Sequence, residues 1–544
     1  MKSPISVRAL AFCVVALSAA LHAGAQSTSA SVAEPQPGMW AFEGEVDGQP
    51  GRSLHIETQL GQAMIVSYLG YRANGAALFL QASGVRQADD SSFAGTLQEF
   101  RNGPVLGGSG SIVRPGEVSG SVGDIRLAFD SPTSGTVTLP GDTPRRISRF
   151  SFSFWQWTQP LGNRFVVHSY PSPGNLNTPT TYQILVDAGV FRMNQLSTSD
   201  GRLCSYSGLY QERGGMLESE GTATCTSESG LQQQQPYRVE RFAVDRYGMF
   251  TGTVVRNGAK SFLMGPCLAG GVFTGSPDTC ASGGRPQLGV EPGMWAFDDE
   301  LNGTPGRSLQ IDTQVGDGPM VVSYLGYRSD GSSLFLQGSA LNYSGSAAQQ
   351  FDMPLQEFRN GPVVGGVVRG GEVETTIGNM RLEFDSPTTG TVTLPFDTPR
   401  RVSRYRYEDH TARFDKTYSA QVYALWRANG APVNIDLVAR DNMFRMDTRT
   451  ADLRTLCEYR GTYSLAGDGL TSDGTRTCTG PAGTTSDAYR AEQFTVDRDG
   501  RLRGVMSEVI RDSFRPSGYQ GVNLYLGTCS LYRLCSRAEL EQPR

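Results

Sequence analysis

Three pairs of acidic residues recur at an offset of about 255 residues along this 544-residue chain: Glu57 and Asp312, Glu99 and Glu357, Asp130 and Asp385. Two carboxylates flanking a glycosidic bond can hydrolyse it, one as acid and the other as base or nucleophile. Glu57 and Asp130 lie on strand faces that read as outward, so Glu99 and Glu357 are the acids in an ambiguous setting. Each stands two residues before an arginine, in the nine-residue stretch LQEFRNGPV that occurs at 97–105 and again at 355–363. If Leu97 faces a core, Glu99 and Arg101 point inward, and buried charges need partners or a polar pocket. If Phe100 faces the core, the pair is exposed and contributes little. Tyr68 and Tyr71 precede the first copy, and Tyr324 and Tyr327 the second. Tyrosine offers an apolar body and a polar tip, which suits sugars and amphipathic ligands. The candidate ligand-binding set is therefore Tyr68, Tyr71, Glu99 and Arg101, with Tyr324, Tyr327, Glu357 and Arg359. The competing reading is ordinary strand filling and turn chemistry inherited through duplication.

Other chemistries find little purchase. Outside the N-terminal leader the histidines are His55, His168 and His410, and the repeat places Gln310 where the first copy has His55. A duplicated histidine-dependent triad is not expected, and His55, opposite the apolar face of its strand, reads as a surface residue. No G-x-S-x-G elbow, H-E-x-x-H pair or P-loop is present. "DRDG" at 497–500 resembles the opening of a calcium loop, but its counterpart "DRYG" at 245–248 lacks the second acid, so an Asp-Gly turn is the better reading. No cofactor and no metal are expected, and catalysis is not the favoured role.

The elements that would position these residues come from a double copy. "PGMWAF" begins at Pro37 and Pro292, "VSYLGYR" at Val66 and Val322, and "FDSPTSGTVTLPGDTPRRISR" at 129–149 is matched by "FDSPTTGTVTLPFDTPRRVSR" at 384–404. A more diverged unit follows each copy, marked by "CSYSGLY" at 204–210 and "CEYRGTY" at 457–463. The order is A-B-A-B: a signal peptide at 1–25, a linker at 26–36, A1 at 37–150, B1 at 151–283, a linker at 284–291, A2 at 292–405 and B2 at 406–540. "DIRLAFD" sets Ile125, Leu127 and Phe129 on one face and Arg126 and Asp130 on the other, the period of a half-buried strand. About eight such runs in each A unit, separated by turns such as Asn74-Gly75, predict an all-β protein of tandem antiparallel barrels or sandwiches.

Gly38-Met39-Trp40, at the start of the first strand, resembles the G-x-W of calycin barrels, the lipocalin and avidin group. In lipocalins that tryptophan closes one barrel end beneath an arginine of the last strand, and Arg149 and Arg404 stand where that arginine would be. The wider pattern G-x-W…G-R…Y-x-x-Y also resembles repeats in uncharacterised secreted proteins of Proteobacteria. The calycin likeness implies ligand binding in a barrel rather than catalysis.

Eight cysteines follow the leader, four per half: Cys204, Cys225, Cys267 and Cys280, then Cys457, Cys478, Cys529 and Cys535. An even number in an exported chain reads as disulfides. Cys204 and Cys225 are symmetric about Gly214-Gly215, and Cys457 and Cys478 about Gly467-Asp468. In a two-residue hairpin both are the tenth pair from the turn, a non-hydrogen-bonded position with Cα atoms about 4.5 Å apart. The remaining pairs would be Cys267–Cys280 and Cys529–Cys535.

The leader MKSPISVRALAFCVVALSAALHAGA has a basic start, a short apolar run and a small-x-small cleavage site, which predicts export to the periplasm or beyond. Its removal takes Lys2 and Arg8 with it, so the formal net charge of −5 becomes −7. That balance speaks against nucleic acid as a partner. No apolar run is long enough for a transmembrane segment. The expectation is an exported, non-catalytic binding or envelope-associated protein with two equivalent A-domain sites. Its partner would be an unknown small molecule, glycan or envelope component. A structural or adhesive surface protein is the alternative, and a carbohydrate-active hydrolase the third reading. Because no proposed cysteine pair joins the halves, a fragment spanning 37–283 is expected to fold alone.

Overall fold

The computed structural model describes residues 34–542 apart from 88–90, 108–114, 153–163, 172–179, 188, 198–202, 245–248, 269–288, 315–318, 342–348, 367–368, 425–430, 451, 482, 511–518 and 530–536. The chain forms four closed eight-stranded antiparallel barrels in succession. A1 runs from strand Gly38–Phe42 to strand Arg145–Arg149, and A2 from Gly293–Phe297 to Arg400–Arg404. B1 runs from Arg164–Pro171 to Ala259–Leu268, and B2 from Lys416–Ala424 to Tyr519–Cys529. Barrels, not sandwiches, are thus the architecture, and the leader lies outside the described residues.

Alternation builds the barrel interiors. Ile125, Leu127 and Phe129 are buried while Arg126 and Asp130 face outward. They join Trp40, Leu54, Tyr68, Leu97 and Ile147 in one core inside A1. A2 repeats this core around Trp295, Leu309, Tyr324 and Leu355. One end of A1 is closed by Arg52, whose guanidinium pairs with Glu45 and Asp142 and lies 4.6 Å from the Phe42 ring. Arg307 does the same in A2 with Glu300 and Asp397. These are the arginines of the repeated G-R-S-L, and the A interiors are filled by side chains.

In the B barrels the hairpin geometry holds. Cys204 pairs with Cys225 and Cys457 with Cys478, each directly across the ladder with Cα atoms 4.0 Å apart. Gly214 and Gly215 both take positive φ, as a two-residue type I′ turn requires. Cys529 is also disulfide-bonded, while Cys280 and Cys535 lie outside the described residues. Non-reducing peptide mapping should recover Cys204–Cys225 and Cys457–Cys478. Replacing either pair by alanine should cost about 3 kcal/mol, the loop-closure value for a separation of 21 residues, as measured by urea unfolding.

The barrels do not stand in a row. A1 packs on A2 through Leu69, Phe79 and Phe100 on one side and Leu325, Tyr327 and Phe335 on the other. B1 packs on B2 through Met249 and Met264 against Tyr423, Val505, Leu524 and Leu526. The Gln59–Gly61 turn of A1 plugs into the segment joining A2 to B2, where Gln59 Oε1 accepts the Tyr407 N–H at 2.9 Å and Leu60 O accepts from Arg413 at 3.2 Å. Gln314 of A2 reaches Phe150 O at 2.6 Å in return. The two halves interlock about a pseudo-two-fold axis.

Candidate binding cleft between the two A barrels

The repeated nine residues form the clasp of this interlock. Leu97 and Phe100 are both buried, but on opposite faces: Leu97 in its own barrel, Phe100 against A2. Both apolar residues are thus core residues, yet Glu99 and Arg101 do not point into the barrel: Glu99 is half-buried and Arg101 exposed. Register shifts at Leu97/Gln98 and Glu99/Phe100 break the alternation along this strand, which stays paired as far as Arg101. Asn102, with φ of 67°, donates its backbone N–H to Gly331 O of A2 at 2.8 Å, and Asn360 donates to Gly75 O at the same distance. The Tyr327 ring lies against Gly103 and the Tyr71 ring against Gly361, so closely that a Cβ at either glycine would fall inside the ring. Glycine recurs in both copies because each seats the other barrel's tyrosine.

The eight candidate residues are consequently dispersed. Tyr68 and Tyr324 point into the cores of their own barrels, near Arg52 and Arg307. Tyr71 and Tyr327, three residues further on and so on the opposite face, lie between the barrels. Burial pushes all four phenols up. Glu99 pairs with Arg72 at 2.5 Å rather than with Arg101, and Glu357 with Arg328. Arg101 and Arg359 lie at the surface, bonded to Glu117 at 2.7 Å and Glu372 at 2.9 Å. No single mouth collects these groups.

Two outward readings are corrected by the same interface. His55 and Glu57 do point away from their own barrel, yet A2 covers them, leaving each about 1 % exposed. Glu57 pairs with Arg404 and accepts the Met294 N–H at 2.8 Å; Asp312 pairs with Arg149 at 2.5 Å and accepts the Met39 N–H at 2.9 Å. Arg149 stands opposite Trp40 in the ladder, and its guanidinium also bonds Met39 O at 2.8 Å. Asp130, by contrast, is exposed and paired with Arg146.

His55 Nε2 lies 3.4 Å from Ser323 Oγ, and Gln310 Nε2 lies 3.3 Å from Ser67 Oγ at the related place. Ser323 is wholly buried and His55 Nδ1 has no partner, so this serine–histidine contact lacks both access and an orienting acid. Burial, and then the nearby Arg149 charge, push His55 down to about 3. A base whose folded value is depressed is neutral when folded and charged when unfolded, so it removes stability as pH falls from about 6.5 towards 3. His55→Gln, which installs the residue of the other copy, should abolish about 1.4 kcal/mol of this loss per pH unit. Paired urea titrations of the two proteins at pH 7 and 4.5 would show it. His410 behaves oppositely: burial would lower it, but Glu408 at 3.2 Å and Glu541 at 3.7 Å raise it to about 9, so its contribution fades as pH rises through 9.

Beside the clasp lies a cleft of about 530 Å³ between A1 and A2. A1 contributes Phe79, Gln81, Ser83, Gln98 and Phe100; A2 contributes Tyr327, Tyr405 and the turn from Leu301 to Ser308. The Gln81 amide donates to Ser67 Oγ at 3.0 Å, which fixes its orientation. Among the described lining residues the sole carboxylate is Glu300, already bonded to Arg307. Of the eight candidates Tyr327 alone lines this cleft. Phe79 and Gln81 were missed, though "AALFLQ" offered a signal: a continuous apolar run where a half-buried strand would alternate.

The Asp497–Gly500 segment is a turn, with Asp497 Oδ1 accepting the N–H groups of Asp499 and Arg501 at 2.9 Å. No metal-binding cluster occurs among the described residues. Among them, too, no helix is long and apolar enough to cross a membrane. The disulfides are those of a chain that matures outside a reducing cytoplasm. A pseudo-symmetric assembly of paired eight-stranded barrels with an aromatic and amide-lined cleft is the class this molecule defines. Comparison of the chain with protein-family models, with curated proteins and with solved structures finds no match.

Proposed function

We propose that the chain is an exported, non-catalytic binding protein, periplasmic or extracellular, whose ligand sits in the cleft between A1 and A2 rather than inside a barrel. The observation that carries this reading is the cleft lining, in which the half-buried Gln81 and exposed Gln98 offer amides over a floor built on the buried rings of Phe79, Phe100 and Tyr327. Such a surface suits a neutral polar ligand with apolar faces, a glycan foremost. The likeness of Gly38-Met39-Trp40 to calycin barrels belongs to the same proposal and would locate binding in a β-barrel family, with the site moved outward because the interior is filled. A hydrolase is disfavoured because Glu300, held by Arg307, has no second carboxylate beside it among the described lining residues.

Ser83 and Gln98 line the cleft and are exposed, so Ser83→Trp and Gln98→Trp fill it without touching either core. On a panel of envelope and extracellular glycans the native chain should bind at least one. Each tryptophan variant should weaken that binding by at least tenfold with an unchanged melting temperature. Binding that survives both variants would place the ligand elsewhere. The structural or adhesive reading would then gain, and exposed Leu209, 74 % accessible on the outer face of B1, is where contact with a macromolecule would be sought.

A further inference from the structure

Each B barrel sends the tip of its disulfide-bearing hairpin against the A barrel of its own half, and the two junctions differ in charge. In the first, Gly214 of the hairpin abuts Arg149, and Gln36 donates its amide to Gly214 O at 2.9 Å. Arg149 is neutralised by Asp312, and the other hairpin residue is Gly215. In the second, Gly467 abuts Arg404, Glu291 stands in the place of Gln36, and Asp468 in that of Gly215. Arg404 is already neutralised by Glu57. Glu291 and Asp468 are thus two carboxylates added to a site whose one cation is taken, and Glu291 Oε2 reaches only to 3.7 Å from Arg404 Nε. Glu291 Oε2 and Asp468 Oδ1 are shielded from solvent without a hydrogen-bond partner.

We infer that this second junction is a proton-operated latch: with a proton held between Glu291 and Asp468 the B2 hairpin seats on A2, and with both ionised it lifts away. The charged and titratable groups facing the pair are Arg404 from the last strand of A2, Tyr407 from the segment after it, Glu57 from A1 and Glu34 from the segment before A1. Arg404 and the Asp468 backbone N–H that Glu291 accepts oppose protonation, and the two acids favour it. Burial comes first and the neighbouring acids follow, raising Glu291 to about 7 and Asp468 well above the usual carboxylate range. An acid with a raised folded value favours the closed state below its ordinary range, and that preference is lost as pH climbs to the raised value. At the first junction an amide and a glycine occupy the two positions, and the acid that B1 sets against A1 there, Glu218, accepts from Ser131 Oγ at 3.3 Å and is raised by burial.

Hydrogen exchange of the full-length protein carrying Glu218→Gln, which removes the acid that the first hairpin sets against A1, tests the latch between pH 5 and 7, read at residues 463–472 and 210–219 and corrected for intrinsic exchange. One proton released per opening makes the second hairpin open about tenfold more often per pH unit, while the first is unchanged. Equal pH dependence at the two hairpins, or none at either, overturns the inference. The double variant Glu291→Gln with Asp468→Gly, which copies the first junction, should flatten the slope at 463–472. A slope that persists in a folded variant also overturns it. Should the variant fail to fold, the comparison of the two hairpins within the Glu218→Gln chain still decides.

Discussion

Arg149→Ala should lower the stability of the protein by about 3–5 kcal/mol, the cost of leaving a buried carboxylate without its cation. Asp312 would keep the Met39 N–H at 2.9 Å but lose both guanidinium bonds, at a position buried from solvent. Arg404→Ala should cost more. Its removal leaves Glu57 unpaired and also takes away the cation that moderates Glu291 and Asp468. Chemical unfolding followed by Trp40 and Trp295 fluorescence reports both events, since each indole donates to a backbone carbonyl, Gln36 or Glu291, beside its arginine. Replacing Arg149 and Asp312 together by apolar residues should cost much less than either alone, because no charge is stranded. If Arg149→Ala changed stability by less than 1 kcal/mol, the pair would have to be wet, and the interlock of the halves would be looser than described.

Much of the fold was legible because barrels obey simple periods. "DIRLAFD" alternates and its faces fall as read; the cysteines sit at equal distances from a Gly-Gly turn and pair as counted. The misreadings share one physical cause. A single period of two tells inside from outside for one barrel, but not whether the outside is covered by another. His55 and Glu57 were assigned outward correctly and exposed wrongly for that reason. The signals of double coverage were continuous apolar runs, "ALFL" and "VSYLGY", which a half-buried strand does not need. Tyr68 and Tyr71 were joined into one site although three residues apart on a strand, where parity sends them to opposite faces. The cleft itself was beyond the sequence, because its walls are 200 residues apart and meet through packing that no local pattern records.

The interlock also changes what half of the chain should do. No disulfide joins the halves among the described residues, and on that ground a first-half fragment would be expected to behave as an independent monomer. Its A barrel, however, would expose Leu69, Phe79 and Phe100 and strand both Arg149 and Glu57. The fragment has a way to bury them. Three pairs of contacts across the A1–A2 interface occur in both directions: Arg149 to Asp312 and Arg404 to Glu57, Asn102 to Gly331 and Asn360 to Gly75, Tyr327 on Gly103 and Tyr71 on Gly361. An interface in which i meets j and j meets i is that of a two-fold dimer. A1 carries both members of each pair, with Glu57 where A2 has Asp312. Residues 34–283 alone should therefore form a symmetric homodimer that reproduces the A1–A2 arrangement, with Arg149 of each copy meeting Glu57 of the other. Light scattering of the purified fragment should give twice the monomer mass at micromolar concentration. Arg149→Ala in the fragment should abolish the dimer, since it breaks two buried pairs at once. A fragment that remained a folded monomer with cooperative unfolding would show that the A barrel tolerates an exposed clasp and two unpaired charges, and would remove the energetic basis claimed for the interlock.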